Sequence, residues 1–357
     1  MIRMKDVAQH AGVSVATVSN VITGKQVVSE VMRNKVLASI KELNYSINLV
    51  ARGLKTQRTN TIGIILPDIT SLFFLDVLRG ILEAAENAHY KINMFSSNYN
   101  FKTEKGIVNN LYSNRVDGII LNSCVDRQYA SEWAHELSAV FDFYSPPVVS
   151  IESTLDETKT EGGKKPGVSS VIIDCKYWSS QITQHLINMG RKNIFFIAGP
   201  VHIKQEFEQL EGYREILGKN NIKVQNELIS QSNFHSAPAY DIVCSALKNG
   251  LRFDAIQASN DRAAIGAIKA LKEFNLFVPG DVAVCGFDNL FPSTLIAPAI
   301  TTVAIPRYQM GFTAVQEVIR RIKDPLAEPV QYTLDAEMII RASSSEEIHT
   351  AWDLDNW

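Results

Sequence analysis

The sequence predicts a multi-domain chain, in which a small all-α helix-turn-helix domain precedes a larger α/β body of two Rossmann-like subdomains. Residues 4–43 contain short segments with the helical period, whereas from residue 61 onward short apolar runs alternate with helix-length segments. A chain of 357 residues, 46% hydrophobic and 20% charged, is long enough for two or three domains with sizeable cores.

The N-terminal segment has the pattern of two helices joined by a tight turn. Lys5–Ala11 has the helical period and ends at Gly12, which can make the turn. Ser14 is a suitable N-cap for a second helix over Val15–Ile22. The helices of such a pair cross closely and need small residues at the crossing, which Ala8 and Gly12 supply.

A third amphipathic helix is expected over Ser29–Leu43. Its apolar residues are expected to close a three-helix core; they are Val31, Val36, Leu37, Ile40 and Leu43.

Charge is unevenly distributed along the chain. Residues 1–60 hold nine Lys or Arg and three Asp or Glu, a net charge of +6, although the whole chain is at −3. A basic module on an acidic body concentrates positive potential where DNA phosphates would lie. Together with the helix-turn-helix pattern, this charge predicts a DNA-binding regulator, and the alternative is a solvated helical face.

Buried parallel strands are predicted in the body, because apolar runs separated by helix-length segments are typical of sheets covered on both faces. The predicted strands are Thr61–Leu66, Lys91–Ser96, Asp117–Leu121, Val148–Ile151, Val171–Ile173, Asn193–Ala198, Asp254–Ala258 and Asp281–Phe287.

The sequence has few features of membrane proteins, metal-binding proteins or enzymes. No run of 18 apolar residues and no signal-peptide core occur, so a cytoplasmic protein without membrane contact is expected. Four scattered cysteines predict buried reduced thiols, and neither they nor the seven histidines have metal-ligand spacing. No dinucleotide, P-loop or G-x-S-x-G motif is present, so we expect no enzyme and no cofactor. A sugar-binding protein and a cleft enzyme remain the weaker alternatives.

Several segments together resemble the lactose-repressor (LacI) family of bacterial transcription regulators. They are KDVAQHAGVSVATVSNVI, NYSINLVARGLKT, TIGIILPDITSLFF, HLINMGRKNIFFIAGP, SNDRAAIGAIKAL, VCGFDNL and PAITTVAI, and they extend over almost the whole chain. The resemblance implies a periplasmic-binding-protein-like core, with the chain crossing between its subdomains near residues 174, 304 and 334.

The resemblance also implies which residues meet DNA. The recognition helix would place Val15, Ala16 and Asn20 at base edges in the major groove, with Ser14, Thr17 and Ser19 near phosphates. Asn20 departs from the Arg usual in the family, and Asn suits adenine better than guanine.

Residues 48–55 resemble the family's hinge helix, which folds on DNA. Leu54 is the residue that would enter the minor groove, and Arg52 and Lys55 are placed for phosphates. A plain interdomain linker is the alternative.

A small effector is expected where parallel strands end, at positions that match the family's effector contacts. The candidate residues are Asp68, Phe73, Glu152, Asp174, Gln209, Phe234, Asn260, Asp261 and Asp288. Carboxylates and amides can bind sugar hydroxyls, and aromatic rings cover apolar sugar faces. Gln209 stands where many relatives have Arg and Ile305 where many have Gln, so a neutral sugar is favoured over an anionic effector. A protein co-effector, as in catabolite control protein A, is the alternative.

The predicted organisation has five parts. They are the helix-turn-helix domain 1–47, the hinge and linker 48–60, the N-terminal effector subdomain 61–174 with 305–334, the C-terminal effector subdomain 175–304 with 335–345, and the tail 346–357. A homodimer is expected, because one helix-turn-helix reads only a few base pairs and operators of the family have two half-sites. The expected contact faces are the helix Phe74–Asn87 and the surface around Ser259–Leu271. Whether the effector releases or tightens DNA binding is open.

Overall fold

The computed structural model describes residues 2–23, 27–45, 58–139, 146–155 and 167–345. The chain forms two compact units, Met1–Thr59 and Asn60–Trp357. The hinge residues Arg52, Leu54 and Lys55, most of the 154–167 loop and the tail 346–357 lie outside the described residues.

The first unit contains three helices around a small core. They are α1 (Met4–Ala11), α2 (Val15–Thr23) and α3 (Glu30–Glu42). Val7, Val18 and Val36 are fully buried at the centre of this unit. Gly12 follows α1 with φ +63°, and the Val13 N–H donates to the Ala8 carbonyl at 3.0 Å, which closes the end of α1. A glycine is favoured at this turn because other residues are strained at positive φ.

Two of the core residues expected on α3 are on its surface. Val31 is 67% exposed and Leu37 is 47% exposed, so their prediction as core residues is wrong. Val36 and Ile40 face the other helices. A 13-residue helix in a three-helix unit buries one narrow stripe, and Val31 and Leu37 lie outside it.

The second unit contains twelve strands within the described residues. Their bounds are β1 (Thr61–Leu66), β2 (Lys91–Ser96), β3 (Gly118–Leu121), β4 (Val148–Ile151), β5 (Val168–Ile172), β6 (Ile194–Ala198), β7 (Ile229–Gln231), β8 (Ala255–Ala258), β9 (Ala283–Cys285), β10 (Thr302–Ala304), β11 (Gln331–Thr333) and β12 (Glu337–Ile339).

These strands form two parallel sheets and a short antiparallel pair. The six-stranded sheet has the order β11-β5-β4-β3-β1-β2, and the four-stranded sheet has the order β7-β6-β8-β9. β10 pairs with β12 in antiparallel register. The chain leaves the larger sheet after β5, returns to it with β11 and leaves it again before β12. The sheets therefore define two subdomains, each built from separate stretches of the chain.

Helices cover the sheets. They are α4 (Leu72–Asn87), α5 (Phe101–Ser113), α6 (Ala130–Ala139), α7 (Cys175–Asn188), α8 (Lys204–Lys219), α9 (Ser236–Lys248), α10 (Asp261–Glu273), α11 (Pro292–Leu295) and α12 (Arg307–Lys323). Within the described residues, none of the helices has the length and hydropathy needed to cross a membrane.

Helices α4 and α12 approach each other unusually closely. A Cβ atom at Gly80 would lie 2.0 Å from the Tyr308 carbonyl oxygen, and one at Gly311 would lie 2.0 Å from the Val77 carbonyl oxygen. Only glycine permits this backbone separation, so the two glycines fix the packing of α12 against α4.

The surface expected around Ser259–Leu271 is mostly interior. α10 packs against α9, and its apolar side chains are largely buried, with Ile265 half-buried. The helical period of this segment therefore indicates burial within the chain rather than an open apolar face.

Candidate DNA-binding helix and effector pocket

The start of α2 presents several of the predicted DNA-contacting residues. The Ser14 hydroxyl accepts a hydrogen bond from the Thr17 N–H at 3.0 Å and caps the helix. Val15 and Ala16 are exposed, Thr17, Ser19 and Asn20 are half-buried, and Val18 points into the core. The helix thus keeps one face for packing and leaves its first turn accessible.

A cavity of about 70 Å³ lies in the second unit between its two parallel sheets. Segments that follow the carboxyl ends of strands line it on both sides, as is usual for open parallel sheets. Six of the predicted effector residues line this cavity: Phe73, Glu152, Gln209, Phe234, Asn260 and Asp288.

Three predicted effector residues lie outside the lining of this cavity. Asp68 binds its own turn, where its Oδ1 accepts from the Thr70 N–H at 2.9 Å. Asp174 is exposed and caps α7. Asp261 is fully buried and accepts from the Leu290 N–H at 2.6 Å and the Thr302 hydroxyl at 2.6 Å. Each of the three carboxylates therefore accepts hydrogen bonds from the residues around it.

Sequence reasoning missed several polar lining residues: Tyr99, Asn122, Cys124, Gln205, Glu206 and Arg262. Asn122 and Cys124 directly follow β3, and Tyr99 follows β2, so the strand-end rule could have found them. Gln205 and Glu206 lie inside α8, where no such signal exists. In the described part of the chain no group of three or more His, Cys, Asp and Glu side chains could hold a metal ion.

Three carboxyl groups from both subdomains meet at the cavity. Burial raises the pKa of Glu152 to about 7, although the Asn122 amide donates to its carboxylate. Burial raises the pKa of Glu206 to about 8, against the opposing hydrogen bond from the Gly199 N–H at 3.0 Å. The pKa of Asp288 is also raised well above its usual range, first by burial and then by the negative charges nearby.

Two of these carboxyl residues have left-handed backbones, with φ of +66° at Glu152 and +103° at Asp288. Such conformations cost free energy in non-glycine residues and persist where surrounding contacts hold them. Here the Asp288 carbonyl accepts from Arg307, and the Asn289 carboxamide oxygen accepts from Arg341 Nη2 at 2.7 Å.

Contacts across the cleft hold the subdomains together. The rings of Tyr99 and Phe234 stack with centroids 5.2 Å apart. The Arg127 guanidinium lies 3.8 Å from the centroid of the Phe207 ring, and Lys204 donates to the Thr154 hydroxyl. A volume of about 70 Å³ is below the several hundred Å³ of typical ligand pockets, so the cleft is nearly shut.

A helix-turn-helix unit joined to a two-subdomain, parallel-sheet body defines a class of DNA-binding transcriptional regulators. Residues 3–48 match the model of bacterial regulatory proteins of the lacI family, and residues 183–344 match the periplasmic binding protein-like domain. The chain belongs to the LacI family.

Individual relatives agree with this assignment. The HTH-type transcriptional regulator RegA of Clostridium saccharobutylicum is 36% identical over 96% of this chain and 98% of its own length. Catabolite control protein A of Priestia megaterium is 32% identical over 87% of this chain and 90% of its own length. A solved structure of the transcriptional regulator CelR in complex with cellobiose has a TM-score of 0.69 at 27% identity, and the match covers 96% of this chain and 100% of that one.

Proposed function

We propose that this regulator is a repressor of carbohydrate-utilisation genes that binds a palindromic operator as a homodimer and responds to a small effector in the cleft. The observation that carries the proposal is the cavity at the strand ends, lined by carboxylates, amides and aromatic rings from both subdomains. A ligand that bridges subdomains can change their relative position, and a coupling of 1–3 kcal/mol changes DNA affinity by roughly 5- to 150-fold. Such a regulator acts at the chromosome, so we propose a cytoplasmic location and no catalytic activity.

A sugar without negative charge is the effector class that we propose. Glu152, Asn260 and Asp288 offer hydrogen-bond acceptors and an amide for hydroxyl groups. Phe73 and Phe234 offer ring faces to apolar sugar surfaces. The carboxylates disfavour phosphorylated ligands, and Gln209 supplies no charge. The cellobiose bound by the similar regulator CelR also supports a sugar.

For DNA recognition we propose that α2 enters the major groove. Its exposed residues Val15 and Ala16 would meet base edges, and Ser14 and Thr17 would lie near phosphates. Asn20 would read one base pair, Ser19 would add a phosphate contact, and Leu54 would enter the minor groove.

For the dimer we propose that α4 forms the contact in the first subdomain. Leu75 and Leu82 of α4 are 55% and 54% exposed, and Leu72 is exposed one turn before Leu75. Their spacing puts them on one side of the helix. Met94, on the edge strand β2, is also exposed. An apolar helix face beside an open sheet edge suits a symmetric contact with a second copy.

The second candidate function is control by a protein co-effector. The nearly shut cavity and the cross-cleft contacts favour it, because a closed body could bind DNA without a small ligand. The name of the similar catabolite control protein A also makes this candidate relevant.

The test uses the full-length protein and an operator selected from a library of randomised palindromes. Fluorescence anisotropy measures DNA affinity alone and with neutral mono- and disaccharides. We expect Asn20→Ala to relax specificity at one base pair, and Leu54→Ala to weaken specific binding far more than non-specific binding. Absence of selection for any palindrome would refute the proposed operator. Selection with no response to any sugar would favour the protein co-effector.

A further inference from the structure

A short turn of the first subdomain contacts the second subdomain at the edge of the effector cavity. The turn is the 3₁₀ segment Arg127–Tyr129, which begins three residues after the cavity-lining residue Cys124. The Asp126 Oδ1 atom accepts a hydrogen bond from the Gln128 N–H at 3.1 Å and caps the segment. The turn is therefore held by its own hydrogen bonds, and it presents Arg127 to the other side of the cleft.

Arg127 makes two contacts with the second subdomain. Its backbone N–H donates to the His202 carbonyl at 2.8 Å. Its guanidinium carbon lies 3.8 Å from the centroid of the Phe207 ring, within the range in which the face of an aromatic ring attracts a cation. One residue thus joins the two subdomains through its backbone and through its side chain.

The side of the cleft that receives these contacts is also held locally. His202 lies between β6 and α8, where the Ile203 N–H donates to the Pro200 carbonyl at 2.8 Å. The Glu206 carboxyl group accepts from the Gly199 N–H at 3.0 Å at the start of the same connection. Because both turns are fixed by their own hydrogen bonds, a movement of one subdomain relative to the other is the change that separates them.

These contacts differ from the aromatic stacking across the same cleft. The rings of Tyr99 and Phe234 line the cavity, so a bound ligand can replace their contact with contacts of its own. Arg127, His202 and Phe207 lie outside the lining. A ligand inside the cavity therefore cannot replace the contacts of Arg127, and these contacts favour the closed cleft by an amount that does not depend on the ligand.

We propose that Arg127, through its contacts with His202 and Phe207, is a latch that sets how often the cleft opens. A cavity of about 70 Å³ is far smaller than a typical ligand pocket, so an effector can enter only when the subdomains separate. The latch lowers the population of the open form, and that population limits access to the cavity. This inference rests on the proposed effector site and adds a residue outside it that controls its opening.

Two thiols of the cavity can report the opening. Cys124 and Cys175 line the cavity and are 7% and 5% exposed, whereas Cys244 and Cys285 are buried outside the lining. Iodoacetamide alkylates the full-length protein, and mass spectrometry of its peptides gives the rate at each thiol. When the cleft opens and closes faster than the reagent reacts, the rate at a cavity thiol is proportional to the population of the open form.

Two variants remove the side-chain part of the latch. Arg127 is exposed, so Arg127→Met removes the guanidinium without leaving a void in the core. It should raise the alkylation rates of Cys124 and Cys175 about fivefold, which corresponds to about 1 kcal/mol. Phe207→Leu removes the ring face and should have a similar effect. Because both changes break one contact, the double variant should match the single variants.

The controls separate the latch from general loosening of the fold. Arg127→Lys keeps a cation for the ring and should stay within about twofold of the parent rates. Lys91→Met should leave the rates unchanged, since Lys91 is exposed at the amino end of β2 and the cavity lies at the carboxyl ends of the strands. The rates of Cys244 and Cys285 should be the same in every variant.

Three results would overturn the inference. Parent rates at both cavity thiols in Arg127→Met would show that the side chain does not hold the cleft. Rate increases that multiply in the double variant would show that Arg127 and Phe207 act independently. An equal increase at Cys285 would indicate general destabilisation. None of these measurements uses operator DNA or a sugar, so rejection of the latch leaves the proposed function standing.

Discussion

Glu206 should contribute to the pH dependence of the stability of the second unit, and Glu206→Gln should remove that contribution. Glu206 is 5% exposed, and burial raises the pKa of its carboxyl group from 4.5 to about 8. A carboxyl group with a raised pKa binds its proton more tightly in the folded state than in the unfolded state. Its contribution to stability is therefore fully present below about pH 4.5 and is lost as pH rises through about 8.

The size of the effect follows from the two pKa values. Each unit of pKa difference corresponds to about 1.4 kcal/mol, and between pH 6 and pH 9 the proton of Glu206 accounts for about 3 kcal/mol of lost stability. The carboxamide of the Glu206→Gln variant cannot ionise, and its oxygen can still accept from the Gly199 N–H. The variant should therefore gain about 3 kcal/mol relative to the parent protein over this range.

Urea unfolding of the full-length protein, followed by tryptophan fluorescence at pH 6, 7, 8 and 9, measures this gain. Glu227→Gln is the control, because Glu227 is exposed and lies on the surface of the same subdomain. Its difference from the parent should stay constant with pH. The reasoning is refuted if the difference between Glu206→Gln and the parent also stays constant across these four pH values.

Three further predictions concern packing, capping and assembly. Gly80→Ala should destabilise the second unit by several kcal/mol, because the added Cβ would lie 2.0 Å from a backbone carbonyl oxygen. Gly106→Ala, in open space on α5, is the control and should stabilise the unit by up to about 1 kcal/mol. Thermal unfolding measures both variants, and equal effects would contradict the close approach of α4 and α12. Ser14→Ala removes the cap of α2 and should lower the stability of the first unit by about 1 kcal/mol, which unfolding followed by circular dichroism measures. Ser14→Asn is the control, because its side chain can still cap the helix. Leu82→Glu should shift the protein toward monomers in analytical ultracentrifugation and weaken operator binding, and an unchanged dimer would reject α4 as the contact.

The sequence predicted the architecture well where burial alone decides it. β1 and β4 have the predicted bounds and are almost wholly buried, because continuous apolar runs between helix-length segments leave little choice of register. The strand expected over Asp281–Phe287 is shorter, at Ala283–Cys285. Its first residues belong to a turn in which the Asp281 and Val282 N–H groups donate to the Phe277 carbonyl, and after the strand Phe287 lines the cavity. β10 and β12 have three residues each and pair over long sequence separation, so no local pattern predicts them.

The site was less predictable because one local pattern has two physical outcomes. An Asp or Asn after a parallel strand can face a ligand or can cap the next helix. Asp288 lines the cavity, Asp174 caps α7, and Asn260 does both, since its Oδ1 accepts from the Ala263 N–H at 2.8 Å while the residue lines the pocket. The direction of the backbone after the strand decides between the two outcomes. At Asp288 that direction depends on a φ of +103° and on a carbonyl held by Arg307, a residue 19 positions away. Contacts of that range are set by the complete fold, so the strand-end rule can name the candidates but cannot choose among them.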